Sequence, residues 1–440
     1  MWAEEVASFA EGGARLWGEG GEVEEEERRR WKRRRRRWRS RRGGEEKVKK
    51  WKVGGDKVEK RPALSMAKRI FELVCAAVLV AGVFSSAAED EMSVKVLYVF
   101  GDSLVDVGNN DDLPKEAPKA NYPYGMDLPG KPTGRFTNGY NLADIVAQRL
   151  GFEMSPQAYR SMWWFERDDV RRCNIGANYA SGGSGILDTT GQADKVLTMR
   201  TQIQYFKRDT DNMKCYYPVH KKDHLSESLF LLSAGGNDLS AFNGSMGDGP
   251  AYVEKMATTY VEHIQALYDL GARMVGILDV PPVGCTPGIR ANMSNGECNE
   301  GANSLAKGFN NLLRVYLAKA ATTNMKGLKY SIASNYNILS DMIANPFIAG
   351  FKEVQKACCG GGRFRAERMC SHADTTACTD NHDDYLFWDM LHGTQATYER
   401  GVVAFFYGDA PKYAEPINFS TLVKKKTSLV APKIQMVADE

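Results

Sequence analysis

Four short β-branched or apolar runs, residues 94–100, 229–234, 274–280 and 328–333, have the pattern of strands buried on both faces. Longer stretches around them, 141–150, 251–270 and 300–321, space their apolar residues as helices do. This alternation predicts an α/β fold: a parallel sheet covered by helices on both sides, in three layers. Helical turns are expected at 337–343, then a Cys- and Gly-rich loop, then a last helix after His392. No repeat or linker composition interrupts residues 89–440, which read as one domain.

Residues 1–65 follow neither period. Glu24, Glu25, Glu26 and Glu27 precede a basic stretch over 28–42, and five isolated Trp do not make a core. A segment that buries so little cannot offset its chain entropy, so disorder is expected. Trp interleaved with the arginines at 33–37 also fits a nuclear-localisation or RNA-binding arm. The next segment argues against that reading. Lys68 and Arg69 are followed by an apolar run over 70–84, interrupted by Glu72, and then by Ser85, Ser86, Ala87 and Ala88. This is the layout of a secretory signal, too short for a stable membrane span. Met66 is therefore expected to be the natural start, with 1–65 an overextended gene model.

Charge supports the same division. Residues 1–65 hold 20 Lys/Arg against 13 Asp/Glu, whereas 89–440 hold 36 against 41. The part with a core is mildly acidic and has no electrostatic case for binding nucleic acid. Of nine cysteines, Cys75 falls in the signal and eight remain, an even number that suits an oxidising compartment. Sequence proximity suggests Cys285 with Cys298, and two links among Cys358, Cys359, Cys370 and Cys378. Cys173 with Cys215 would complete the set, although other connectivities are open. N-x-S sequons at Asn243, Asn292 and Asn418 also fit a secreted chain.

Candidate chemistry begins at Gly101-Asp102-Ser103-Leu104, directly after the first predicted strand. A turn there lies at the carboxyl edge of a parallel sheet, where reactive groups gather. It continues through Asn109-Asn110, Tyr122-Pro123-Tyr124-Gly125 and Thr133-Gly134-Arg135-Phe136-Thr137-Asn138-Gly139. Further along come Asn178-Tyr179-Ala180-Ser181-Gly182-Gly183-Ser184-Gly185, Gly235-Gly236-Asn237-Asp238 and Pro281-Pro282-Val283-Gly284-Cys285. The series ends at Phe387-Trp388-Asp389-Met390-Leu391-His392. In this order, over roughly residues 94–410, the chain resembles the plant GDSL esterase/lipases of the Ser-Gly-Asn-His hydrolase superfamily. The resemblance implies a flavodoxin-like sheet, and a serine esterase that needs no cofactor and acts on a small-molecule or polymer ester.

A serine hydroxyl needs an imidazole to take its proton, and the imidazole needs a carboxylate to fix its tautomer. Of the histidines at 220, 224, 263, 372, 382 and 392, only His392 has an aspartate three positions earlier in an aromatic segment. Ser103, Asp389 and His392 are therefore the expected triad. The plainer alternative makes Asp389 a helix cap and His392 a surface residue. The resemblance implies three oxyanion donors: the Ser103 N–H, the Asn237 amide and a glycine N–H. Gly185 is the choice for that glycine, and Gly183 stands close behind in the same run.

Tyr122, Tyr124, Phe136 and Trp388 are candidates either for an acyl pocket or for the core. Gly393 stands where the family usually has proline, which predicts a less rigid loop after His392. No G-K-[S/T], G-x-S-x-G or H-E-x-x-H occurs, so phosphate-loop, nucleophile-elbow and zinc-protease readings have no support. An acyltransferase with the same triad and a non-catalytic secreted binding protein are the alternatives.

Overall fold

The computed structural model describes residues 94–128, 134–243, 247–371, 378 and 381–424. The expected disordered extension, the signal segment and His372 lie outside them.

The strands run in the order β1 (Leu97–Gly101), β2 (Ala177–Asn178), β3 (Leu229–Ser233), β4 (Met274–Leu278), β5 (Lys329–Ala333), β6 (Glu353–Ala357), β7 (Tyr385–Phe387) and β8 (Ala414–Glu415). The helices used below are α1 (Leu142–Arg149), α2 (Met199–Asp211), α3 (Gly236–Ala241), α4 (Gly249–Asp269), α5 (Glu300–Thr323), α6 (Asn335–Ala344), α7 (Gln395–Tyr407) and α8 (Phe419–Val423). The main sheet has the order β2-β1-β3-β4-β5-β8. Its first five strands are parallel, and β8 closes the far edge antiparallel to β5. The parallel order 2-1-3-4-5 is the flavodoxin-like one.

Every residue of β1, β3 and β4 is buried, because alternate side chains enter two separate cores. Tyr98, Phe100, Phe230 and Leu232 pack with Phe206 of α2, Tyr260 of α4 and Phe309 of α5. Leu97, Val99, Leu229 and Leu231 pack on the other side with Val146 of α1, Phe405 of α7 and Phe419 of α8. This is the three-layer sandwich that the uninterrupted apolar runs imply. The helix expected at 141–150 is α1, closed at its start by a reciprocal cap between Asn141 and Asp144.

A third cluster joins Tyr124, Phe136 and Trp388 to Cys358, Cys359, Cys370 and Cys378. The disulfides are Cys173–Cys215, Cys285–Cys298, Cys358–Cys378 and Cys359–Cys370. The last two tie the Cys- and Gly-rich loop beside the small parallel pair β6–β7. Cys358 N–H donates to Phe387 O at 3.0 Å and Cys359 N–H to Trp388 O at 2.7 Å. The disulfide loop thus grips the segment that leads into Asp389. Among the described residues, no helix is long and apolar enough to cross a membrane.

Candidate active site

β1 ends on Gly101, whose φ is +138°. A Cβ there would lie 1.9 Å from Ser233 O on the neighbouring strand, so only glycine permits the turn. Gln202 of α2 holds the same residue from the other side: Gly101 N–H donates to its Oε1 at 2.8 Å, and its Nε2 donates to Gly101 O at 2.9 Å. The chain leaves this clamp through Asp102 and presents Ser103 at the carboxyl edge of the sheet.

His392 arrives from the far end of the chain. The Ser103 hydroxyl donates to its Nε2 at 2.7 Å. Its Nδ1 faces Asp389, with Oδ2 at 2.8 Å and Oδ1 at 3.0 Å. The three expected residues therefore form one hydrogen-bonded chain. Asp389 is held further by the N–H groups of Leu391 (2.8 Å) and His392 (2.7 Å), and by Tyr124, whose hydroxyl donates to Oδ2 at 2.6 Å. Burial alone would raise the carboxyl pKa, but the charge of His392 and these hydrogen bonds hold it below the ordinary value. Burial alone would lower His392; the charge and hydrogen bond of Asp389 raise it instead, with a smaller push from Asp102.

Asn237 sits in the first turn of α3 and lines the same cleft as Ser103 and His392. Its Nδ2 donates to Ser184 O at 2.9 Å, which fixes the amide orientation and leaves one N–H for another acceptor. The glycine-rich run is fastened beside it. Asp238 accepts from Ile186 N–H, Leu187 N–H and the Thr190 hydroxyl, while Asp106 accepts from Gly108, Asn109 and Gly182 N–H. Neither Gly183 nor Gly185 lines the cleft. A trans peptide points its C=O and N–H in opposite directions. Since Ser184 O faces Asn237, the Gly185 N–H turns away from that amide.

The aromatic candidates do not line the cleft. Trp388 is fully buried and Tyr122 is partly exposed. Phe136 packs its ring 5.3 Å from that of His392, and Tyr124 supports Asp389. The role of Tyr124 had no sequence signal, because the contact joins residues 265 positions apart. Gly393 is held tightly rather than loosely. Its N–H donates to the Tyr398 hydroxyl at 3.0 Å and its O accepts from Thr137 at 2.9 Å. Proline could not make the first of these bonds, so glycine here keeps a buried hydroxyl partnered.

Buried carboxyls surround the site. Asp102 is pushed up to about 7 and Asp106 to about 6, in both cases mainly by burial. An edge serine with an oriented imidazole and a fixed amide donor has the parts of a nucleophilic acyl-transfer site.

Known proteins place this arrangement in a family. The description "GDSL-like Lipase/Acylhydrolase" matches residues 97–401. GDSL esterase/lipase At5g55050 of Arabidopsis thaliana is 36% identical over 342 residues, covering 75% of this chain and 90% of its own. GDSL esterase/lipase LTL1 of the same plant is 33% identical over 352 residues, covering 77% and 94%. The anther-specific proline-rich protein APG of Brassica napus is 34% identical over 318 residues, 70% of each chain. With its ordered motifs, its sheet order and these relatives, the chain belongs to the GDSL-like lipase/acylhydrolase family.

Proposed function

We propose that this family hydrolase cleaves carboxylic esters through an acyl-enzyme on Ser103. The observation that carries the reading is the continuous chain from Asp389 through His392 to the Ser103 hydroxyl. His392 Nε2 takes the hydroxyl proton as Ser103 Oγ bonds to the ester carbonyl carbon. The oxyanion is held by Ser103 N–H and the remaining Asn237 N–H. The Ser184 peptide turns the Gly185 N–H away from Asn237, which leaves the Gly183 N–H as the other candidate for a third donor. Collapse breaks the bond to the alcohol, which leaves with the proton from His392. Water, deprotonated by His392, then attacks the acyl-enzyme and releases the acid, restoring Ser103. Asp389 orients the imidazole and stabilises its charged form. No step calls for a cofactor.

Secretion belongs to the same proposal. The signal-like segment at 66–88, four disulfides and three sequons support it. The chain from Met66 onward, expressed in a secretory host, should be recovered from the medium with an N-terminus near residue 89. An intracellular product that retains residues 66–88 would overturn this part.

Hydrolysis of short- and medium-chain p-nitrophenyl esters tests the chemistry. Ser103→Ala is expected to lose turnover by on the order of 10⁴-fold or more. Equal rates for the variant and the wild type would end the serine mechanism. With a polyol present, free acid should remain the product; an acylated polyol would identify a transferase instead.

A further inference from the structure

The cleft at Ser103 is small, about 60 Å³. A larger space lies beside β2, where Ala158 pairs with Asn178, and it shares no lining residue with the cleft. It holds about 480 Å³, within the range of small-molecule sites. One wall is the stretch after the candidate nucleophile, with Gly108, Asp111 and Asp112. The other leads into the helix Trp164–Arg171 and brings Met154, Gln157 and Ser161. The walls are fastened to each other. Asn109 Oδ1 accepts from Arg160 N–H at 3.0 Å, and Arg160 Nη2 donates to Asp112 O at 3.0 Å.

The polar groups of this space select the ligand. Among the described residues, none donates a hydrogen bond to the Asp111 or Asp112 carboxylate or to Gln157 Oε1, while Gln157 Nε2 is turned to Ser161 O at 3.3 Å. The surrounding charge is balanced. Lys119 Nζ donates to Leu113 O at 2.8 Å beside the carboxylates, Arg160 binds Asp112 O, and Arg135 is paired with Asp144 at 2.8 Å. An anion would meet two carboxylates, and a hydrocarbon would strand their lone pairs away from water. A sugar brings hydroxyl donors to these acceptors and no charge of its own.

The rim is aromatic. Trp163 and Trp164 are 57% and 54% exposed, and Phe165 and Met154 beside them are 41% and 39% exposed. Glu166 Oε2 accepts from Trp163 N–H at 2.7 Å and from Gln157 Nε2 at 3.4 Å, so the indoles begin at the edge of the polar space. A flat indole face covers the apolar C–H side of a pyranose ring. A lipid surface fits less well, because Asp111, Asp112, Glu166, Asp168 and Asp169 would all approach its anionic headgroups.

We infer that this space and its aromatic rim bind an uncharged polysaccharide, with sugar rings stacked on Trp163 and Trp164 and hydroxyls bonded to Asp111, Asp112 and Gln157. The site is separate from the Ser103 chemistry and does not depend on it.

Affinity electrophoresis of the protein recovered from the secretory host tests the assignment. Soluble xylan, glucomannan and xyloglucan are the uncharged probes, and polygalacturonate is the acidic one. Co-sedimentation with phosphatidylcholine–phosphatidylserine vesicles is the lipid control. At least one uncharged polymer should retard the protein, while polygalacturonate and vesicles should not hold it. The double variant Trp163→Ala/Trp164→Ala should weaken that binding about tenfold or more. Asp112→Ala/Gln157→Ala is a second variant with the same expected loss, should the first fail to fold. No retardation by any of the three uncharged polymers overturns the site, as does equal retardation of a variant that keeps the wild-type unfolding midpoint. Equal or stronger binding to polygalacturonate or vesicles also overturns it, assigning the face to another partner. Ser103→Ala should bind polymer as wild type does. A protein with tryptophan-dependent polymer binding and no ester turnover keeps this site and overturns the esterase reading alone.

Discussion

Asp102 is buried beside the candidate nucleophile, with its Oδ1 accepting from Leu104 N–H at 3.1 Å. Burial raises its pKa to about 7, far above the ordinary 3.8. The folded protein therefore holds a proton that the unfolded chain releases earlier, and stability falls as pH rises from about 4 to about 7. Asp102→Asn keeps an acceptor for Leu104 and removes this dependence. Its denaturant midpoint should exceed that of wild type at pH 8, and the gap should close below pH 4. The same substitution removes a negative charge that raises His392. The acid limb of kcat/KM, which requires neutral His392, should lie above pH 6.5 in wild type and move lower in the variant. Tyr124→Phe tests the support of Asp389. Loss of a hydrogen bond to a buried carboxylate should cost about 1.5–3 kcal/mol, read as a lower denaturant midpoint and reduced kcat. Asn237→Ala should cost on the order of 10²–10³ in kcat through the missing oxyanion donor.

At the scale of elements, the long helices and the core strands were legible because their apolar periods are strong. The structure adds what those periods cannot encode. β2 and β8 are two residues each, too short to show a pattern. α2 escapes notice because few of its residues, Met199, Ile203 and Phe206 among them, are apolar and buried, while polar Gln202 and Asp209 share that face. Yet α2 delivers the side chain that holds Gly101. The reason is the brevity of β2: it pairs with Tyr98 and Val99 only, so a glutamine completes the hydrogen bonding at the strand end. Gln202→Leu leaves the buried Gly101 N–H without its acceptor. A loss of about 1–3 kcal/mol is expected in denaturant unfolding, together with a fall in kcat as Ser103 loses its fixed approach.

For the whole molecule, Asp389 and His392 were readable from their spacing, and Ser103 from its place after a strand. Those signals are local, as the geometry of i, i+3 and of a strand exit is local. The supporting contacts were not readable, since Tyr124 to Asp389 and Thr137 to Gly393 join distant segments. The choice between Gly183 and Gly185 depends on peptide orientation, which a run of glycines does not encode. The disulfide loop is another long-range device. It braces Phe387 and Trp388 just before the Asp389 turn, so reduction should silence the enzyme before the sheet unfolds. A dithiothreitol titration followed by activity and far-ultraviolet circular dichroism should show the first falling ahead of the second. Coincident loss would mean that the loop is integral to the whole fold.

The span of the triad has a consequence for how activity returns after unfolding. Aspartate and histidine meet within one turn, but the serine lies 289 residues from the histidine. Half of the proposed machinery is thus assembled locally, while its candidate nucleophile is supplied only when the first strand and the turn between β7 and α7 are in the same sandwich. Contacts of such separation are the slow ones in folding. Ester turnover is therefore a clock for chain closure: during renaturation it should lag the recovery of helix signal and coincide with the last tertiary phase.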